Sequence, residues 1–145
     1  MKNVKVKDFR QGKTLYYVMA FPLESKGGNA RVEQYTIQSR AYLKPLSGEG
    51  IMRTILADAL WYKTTEWRNH WATGNPTLYH NKHSCRDSGV AVGKQHYNFH
   101  RVFKTRNQAQ RYADRMNSGC LTHEERQNAT RLNFRRESMW SDYGY

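Results

Sequence analysis

Five side chains able to bind a metal fall in one short stretch: His80, His83, Cys85, His96 and His100. Zinc takes a tetrahedral set of nitrogen or sulfur ligands, and these are the residue types it takes. If residues 96–103 form a strand, alternation puts His96, Asn98 and His100 on one face. Small metal-dependent nucleases hold such His and Asn residues on a hairpin-plus-helix frame, and residues 77–116 could supply strand, strand and helix. The spacings close no defined ligand set, however. Loop histidines plus one polar sheet face are the simpler reading. No cofactor is therefore expected, with zinc or another divalent metal at these five residues as the alternative.

Other chemistry finds less support. Glu33, Glu49, Asp58, Glu66, Asp87 and Asp114 are scattered, most of them within two positions of a basic residue, and none is paired as general acid–base work requires. His83 and Cys85 are two apart, which is not a nucleophile–base arrangement. Gly12-Lys13-Thr14 resembles the end of a phosphate-binding loop, but Lys7 stands where the earlier glycine is needed and a strand follows where a helix should. The balance is against an enzyme.

Charge is the stronger signal. The 145 residues carry 24 Lys+Arg against 12 Asp+Glu, a net charge of +12. Residues 1–44 hold nine basic and three acidic side chains, as do residues 101–136, whereas residues 45–100 hold six and four. Every basic residue after Lys104 is an arginine, whose planar fork suits phosphate and carboxylate better than lysine does. Arg106, Arg111 and Arg115 avoid the apolar stripe of one helical segment. Arg131 and Arg135 are four apart on the next, with Arg136 beside them. Such a cluster neutralises phosphates with little sequence discrimination. The leading expectation is a non-enzymatic protein contacting nucleic acid or a nucleoprotein complex. The alternatives are a protein-binding inhibitor that turns the same surface on an acidic partner, and a metal-dependent nuclease. A solvated face paired with Asp114, Glu124 and Glu125 is the competing structural reading of these arginines.

The elements that must position these residues follow from periodicity. Lys13–Phe21 is apolar on both faces, as a buried strand requires. After Pro22 and the turn residues of Ser25–Asn29, Arg31–Tyr42 reads as its hairpin partner. Ile51, Met52, Ile55, Leu56, Ala59 and Leu60 recur at helical spacing and predict a core helix, with Trp67 and Trp71 extending it past a kink near Thr64–Thr65. Thr77–His80, Val90–Val92 and His96–Phe103 are strand-like. Alternation puts Tyr97, Phe99 and Phe103 together, for core packing or for stacking bases. Thr105 with Gln108 forms a capping box before the stripe Ala109, Tyr112, Ala113 and Met116, and Gly119 ends that helix. Thr122 with Glu125 opens another, running to about Arg136.

The fold class expected is α+β: a small antiparallel sheet, one core helix and two basic C-terminal helices. Residues 1–145 make a single domain, with 137–145 a frayed tail. Cys85 and Cys120 lack the CxxC spacing of a zinc module and suit a reduced, cytoplasmic setting. No apolar run is long enough for a membrane, and the N-terminus lacks the apolar stretch of a signal peptide, so no membrane partner is expected.

Two segments, VKVKDFRQGKTLYYV near the start and VFKTRNQAQRYADRMN later, resemble pieces that recur in short basic accessory proteins of tailed bacteriophages. That resemblance implies action in the infected host cytoplasm, on host machinery or host defences. It transfers no functional residue.

Overall fold

A computed structural model describes residues 3–20, 30–43, 60–90 and 98–131. They form a mixed α and β structure built on an antiparallel sheet. Its strands are β1 (Thr14–Met19), β2 (Arg31–Ile37), β3 (Tyr42–Leu43), β4 (Leu60–Asn69), β5 (Pro76–Ser84) and β6 (Arg101–Phe103). β1 lies between β2 and β6, β2 lies between β1 and β4, and β5 pairs along β4. Helix α1 (Arg106–Ser118) packs across β1, β2 and β6. Residues 123–131 are helical again.

The β1–β2 hairpin pairs Thr14 with Thr36 through to Met19 with Arg31, and β1 is apolar on both sides because both are covered. Leu15 and Tyr17 enter one cluster with Phe9, Tyr35, Ile37, Tyr62, Cys85 and Val102. Tyr16 and Val18 enter the other, with Phe99, Phe103 and the α1 stripe Ala109, Tyr112, Ala113 and Met116. Helix α1 begins where its sequence says: Thr105 Oγ1 accepts from the Gln108 amide, and Gly119 closes it at φ 74°. That left-handed conformation is the one glycine adopts without steric cost. At the next helical segment both halves of a capping box form, with Thr122 and Glu125 exchanging side-chain and backbone hydrogen bonds at 2.8 and 3.2 Å. Asn117 near the end of α1 grips the backbone of Ala30 from both sides, at 2.7 and 2.9 Å, and so sets where β2 starts.

β2 and β3 run along the same edge of β4 out of step. The pairs Thr36–Thr65 and Ile37–Thr64 sum to 101, whereas Tyr42–Trp61 and Leu43–Leu60 sum to 103. Two extra residues are therefore accommodated between the strands. The Gln38 amide donates to Lys63 O at 2.8 Å, and Ser39 Oγ accepts from the Lys63 amide at 3.1 Å, so the offset leaves these β4 groups paired.

The expected core helix is corrected in part. Residues 51–59 lie outside the described residues, but Leu60–Asn69 is a strand and Trp67 and Trp71 extend no helix. Thr64 and Thr65, read as a kink, are β-branched residues in mid-strand that suit a pleated sheet. Their register is set by cross-strand partners in β5, which periodicity within one segment does not reveal. β5 itself is longer than Thr77–His80. Of the described residues 98–103, Arg101–Phe103 is strand, while 91–97, with most of the Val90–Val92 segment and with His96 and Tyr97, lie outside the described residues. Phe99 is buried against α1, so it packs the core and offers no stacking surface.

Tyr62 is fully buried at the centre of the first cluster. Its ring stacks on Phe9 at 4.0 Å, and its hydroxyl bonds to Tyr35 Oη at 2.6 Å and to Ser88 Oγ. Replacing it with phenylalanine keeps the packing but leaves the buried Tyr35 hydroxyl without its partner, while Ser88 retains its bond to Ser84 O. Tyr62→Phe is expected to lower the stability by about 2 kcal/mol, read from a urea midpoint at unchanged m-value.

Candidate functional site

A cleft of about 480 Å³ opens on the first face of the sheet. Its floor is aromatic, with Tyr17, Tyr35 and Tyr62 from β1, β2 and β4 and His83 from β5. Asp87 and Ser88 come from the turn after β5, and Asn98, His100 and Arg101 lead into β6. Asn98 Nδ2 donates to Asp87 O at 3.1 Å, joining the two rims. Gly89 lets them close: at φ 73° it takes a left-handed conformation, and a Cβ there would lie 2.7 Å from Arg101 Cδ.

The hydroxyls on the floor form a directed chain. Ser88 Oγ donates to Ser84 O at 3.1 Å, so Tyr62 donates to Ser88 and Tyr35 to Tyr62. Burial pushes the phenols of Tyr35 and Tyr62 up, which keeps both protonated. Tyr17 Oη donates to both carboxylate oxygens of Glu66, at 2.8 and 3.1 Å, and burial with this bond raises the phenol as well. Glu66 is buried and also meets Arg68 Nε at 3.4 Å, so its charge is compensated.

The four metal-capable residues among the described ones do not gather at one point. In the β4–β5 register His83 faces Tyr62 and His80 faces Thr65, which puts the two histidines on opposite sides of the sheet. Cys85 is buried in the core with its thiol pushed up to about 11, a poor source of thiolate. His83 and His100 both line the cleft, and His96 lies outside the described residues. Among the described residues no three His, Cys, Asp or Glu side chains are grouped to hold a metal ion.

The arginines divide differently. Arg106 is exposed, donates to Gln34 Oε1 at 2.8 Å and lies 5.1 Å from the Tyr16 ring centroid. Arg111 is exposed and forms no ion pair among the described residues. Arg115 is bound as a fork to Glu125 at 2.6 and 3.2 Å, so its charge is committed within the fold. Arg131 is half-buried beside Asn128, and Arg135 and Arg136 lie outside the described residues. At the other end, Lys13 and Lys104 pair with Asp8 at 3.7 and 3.3 Å. Burial alone would raise that carboxyl, but the Lys5 amide and the two lysines hold it below the usual range.

The β4–β5 hairpin carries two tryptophans in solvent. Trp67 is 69% and Trp71 90% exposed, although tryptophans are ordinarily well buried. The signal available was the run of aromatic and β-branched residues Trp61, Tyr62, Thr64, Thr65 and Trp67, masked by the four-residue spacing of Trp67 and Trp71 that mimics a helix.

Burial lowers the affinity of His83 and His100 for protons. Asp87 opposes this at both sites, while Arg68 near His83 and Arg101 near His100 reinforce it. As pH falls through the ordinary histidine range, the unfolded chain takes up these protons while the folded one does not, so stability is full above that range and declines below it. Thermal midpoints measured from about pH 7.5 to 5 should fall, and His83→Gln with His100→Gln should flatten that dependence.

Among the described residues no helix is long and apolar enough to cross a membrane. Neither the curated proteins nor the solved structures searched yield a match. A family model described as phage g100-like protein matches residues 3–116, which includes the β1–β2 hairpin, the β4–β5 hairpin and nearly all of α1. With most of its length matched, the chain belongs to the phage g100-like protein family.

Proposed function

We propose that this phage protein is a non-enzymatic binding protein that contacts nucleic acid, alone or within a nucleoprotein complex, inside the infected cell. The observation that carries this reading is the state of the exposed cations on α1. Arg106 and Arg111 stand in solvent without a carboxylate partner among the described residues. Arg106 is held in place by Gln34 and the Tyr16 ring, so little side-chain freedom is lost when it meets a phosphate. The proposed contact set also includes Arg131, together with Arg135 and Arg136, which lie outside the described residues. Arg115 contributes to it less, because its fork already holds Glu125.

Phosphate contacts of this kind position a nucleic acid without reading its sequence, and they release counterions. Binding of a labelled oligonucleotide is expected to weaken steeply between about 50 and 200 mM salt. The double change Arg106→Gln, Arg111→Gln should reduce the slope of log K against log salt by about two. Absence of binding at low salt, with salt-insensitive capture of one acidic host protein, would show instead that the surface meets a protein.

A further inference from the structure

The sheet face that carries α1 continues past the helix onto the β4–β5 hairpin. Helix α1 packs over β1, β2 and β6, and its arginine Arg106 reaches Gln34 on β2. Two residues on, Thr36 pairs with Thr65 of β4, which alternation places between Lys63 and Trp67 on this same face. Rung by rung the hairpin presents Lys63 opposite Lys82, Thr65 opposite His80, and Trp67 opposite Leu78.

Two features of this surface call for a partner. Like charges directly opposite one another destabilise a sheet, yet Lys63 and Lys82 are so placed, both exposed. Lys63 lies 5.6 Å from the Tyr42 ring centroid, and among the described residues no carboxylate stands on this hairpin face. The single acidic residue of the hairpin, Glu66, is buried on the opposite face. Beyond the cations, Trp67 projects from the same face and Trp71 from the tip, where it stacks on His70 at 5.8 Å. Flat rings interleaved with uncompensated cations match the alternation of bases and phosphates in a nucleic acid strand. Trp67 and Lys63 are four residues apart on one strand, about 13 Å. Bases offer their faces to a tryptophan only when they are not stacked in a duplex, and this selects the single-stranded form.

We infer that the outer face of the β4–β5 hairpin docks single-stranded nucleic acid, with bases stacking on Trp67 and Trp71 and phosphates meeting Lys63 and Lys82. The inference rests on the nucleic-acid reading above and assigns it a second surface and a strandedness. Because both tryptophans are exposed, Trp67→Ala with Trp71→Ala leaves the core intact, which circular dichroism and the thermal midpoint will confirm. Fluorescence anisotropy with a single-stranded DNA of about 15 nucleotides, and with its duplex, then separates the contributions. The expected result is an affinity for the single strand at least about tenfold weaker, with duplex affinity unchanged. Lys63→Gln with Lys82→Gln should lower the salt slope for the single strand by about two.

A tryptophan variant that binds the single strand within about twofold of the wild type overturns the hairpin surface while leaving nucleic-acid binding in place. A wild type that binds neither form overturns both. A wild-type dimer that the tryptophan variant dissolves, seen by sedimentation, overturns the docking of nucleic acid in favour of a second copy of the chain.

Discussion

A buried phenol must find hydrogen-bond partners, and the way Tyr62 does so organises the first face of this protein. Its ring stacks on Phe9 from the N-terminal segment and meets Tyr35 of β2 edge-on at 6.0 Å. Its hydroxyl lies between Tyr35 Oη and Ser88 Oγ, and Ser88 passes the chain on to the Ser84 carbonyl. One residue thus ties together the start of the chain, two strands and the turn after β5. An unpaired hydroxyl here would lose its water without compensation. The cleft exists because this network holds the turn against the floor and Asn98 joins that turn to the segment entering β6.

The second face is organised by shape. Small residues of α1, Ala109 and Ala113, let the helix lie close on β1 and β6, while Tyr112 and Met116 fill the flanks. Tyr112 Oη donates to Phe99 O at 2.7 Å and ties the helix to the segment before β6. A single helix of 13 residues covers only part of the sheet, and among the described residues no element lies over the strands beyond it. Near the core, Lys13 and Lys104 share the single carboxylate of Asp8, and Arg115 is paired with Glu125.

Much of this was legible in the chain. Capping boxes and a glycine C-cap act through atoms a few residues apart, so the limits of α1 and the start of the helical segment after it followed directly from residue types. β1 was legible because a strand covered on both sides is apolar throughout. Residues 60–69 were not, since the four-residue spacing of Trp67 and Trp71 is compatible with a helix and only pairing with residues 76–84 makes it a strand. Closeness in sequence likewise says nothing about which sheet face each histidine takes. A strand of period two separates His80 from His83, and burial of Cys85 removes a third ligand.

The sequence by itself determined the local stops and starts, the double-sided strand, the net charge and the phage character that its two quoted segments suggested and the family match supports. These depend on neighbouring residues or on composition, which folding leaves unchanged. Only the tertiary structure decided which cations are spent on internal carboxylates, which aromatic side chains are core and which stand in solvent, and which histidines share a cleft. Each of those depends on contacts between residues tens of positions apart, such as Tyr17 with Glu66 or Asn117 with Ala30. Such pairings are set by strand order and register, and no periodicity within one segment encodes them.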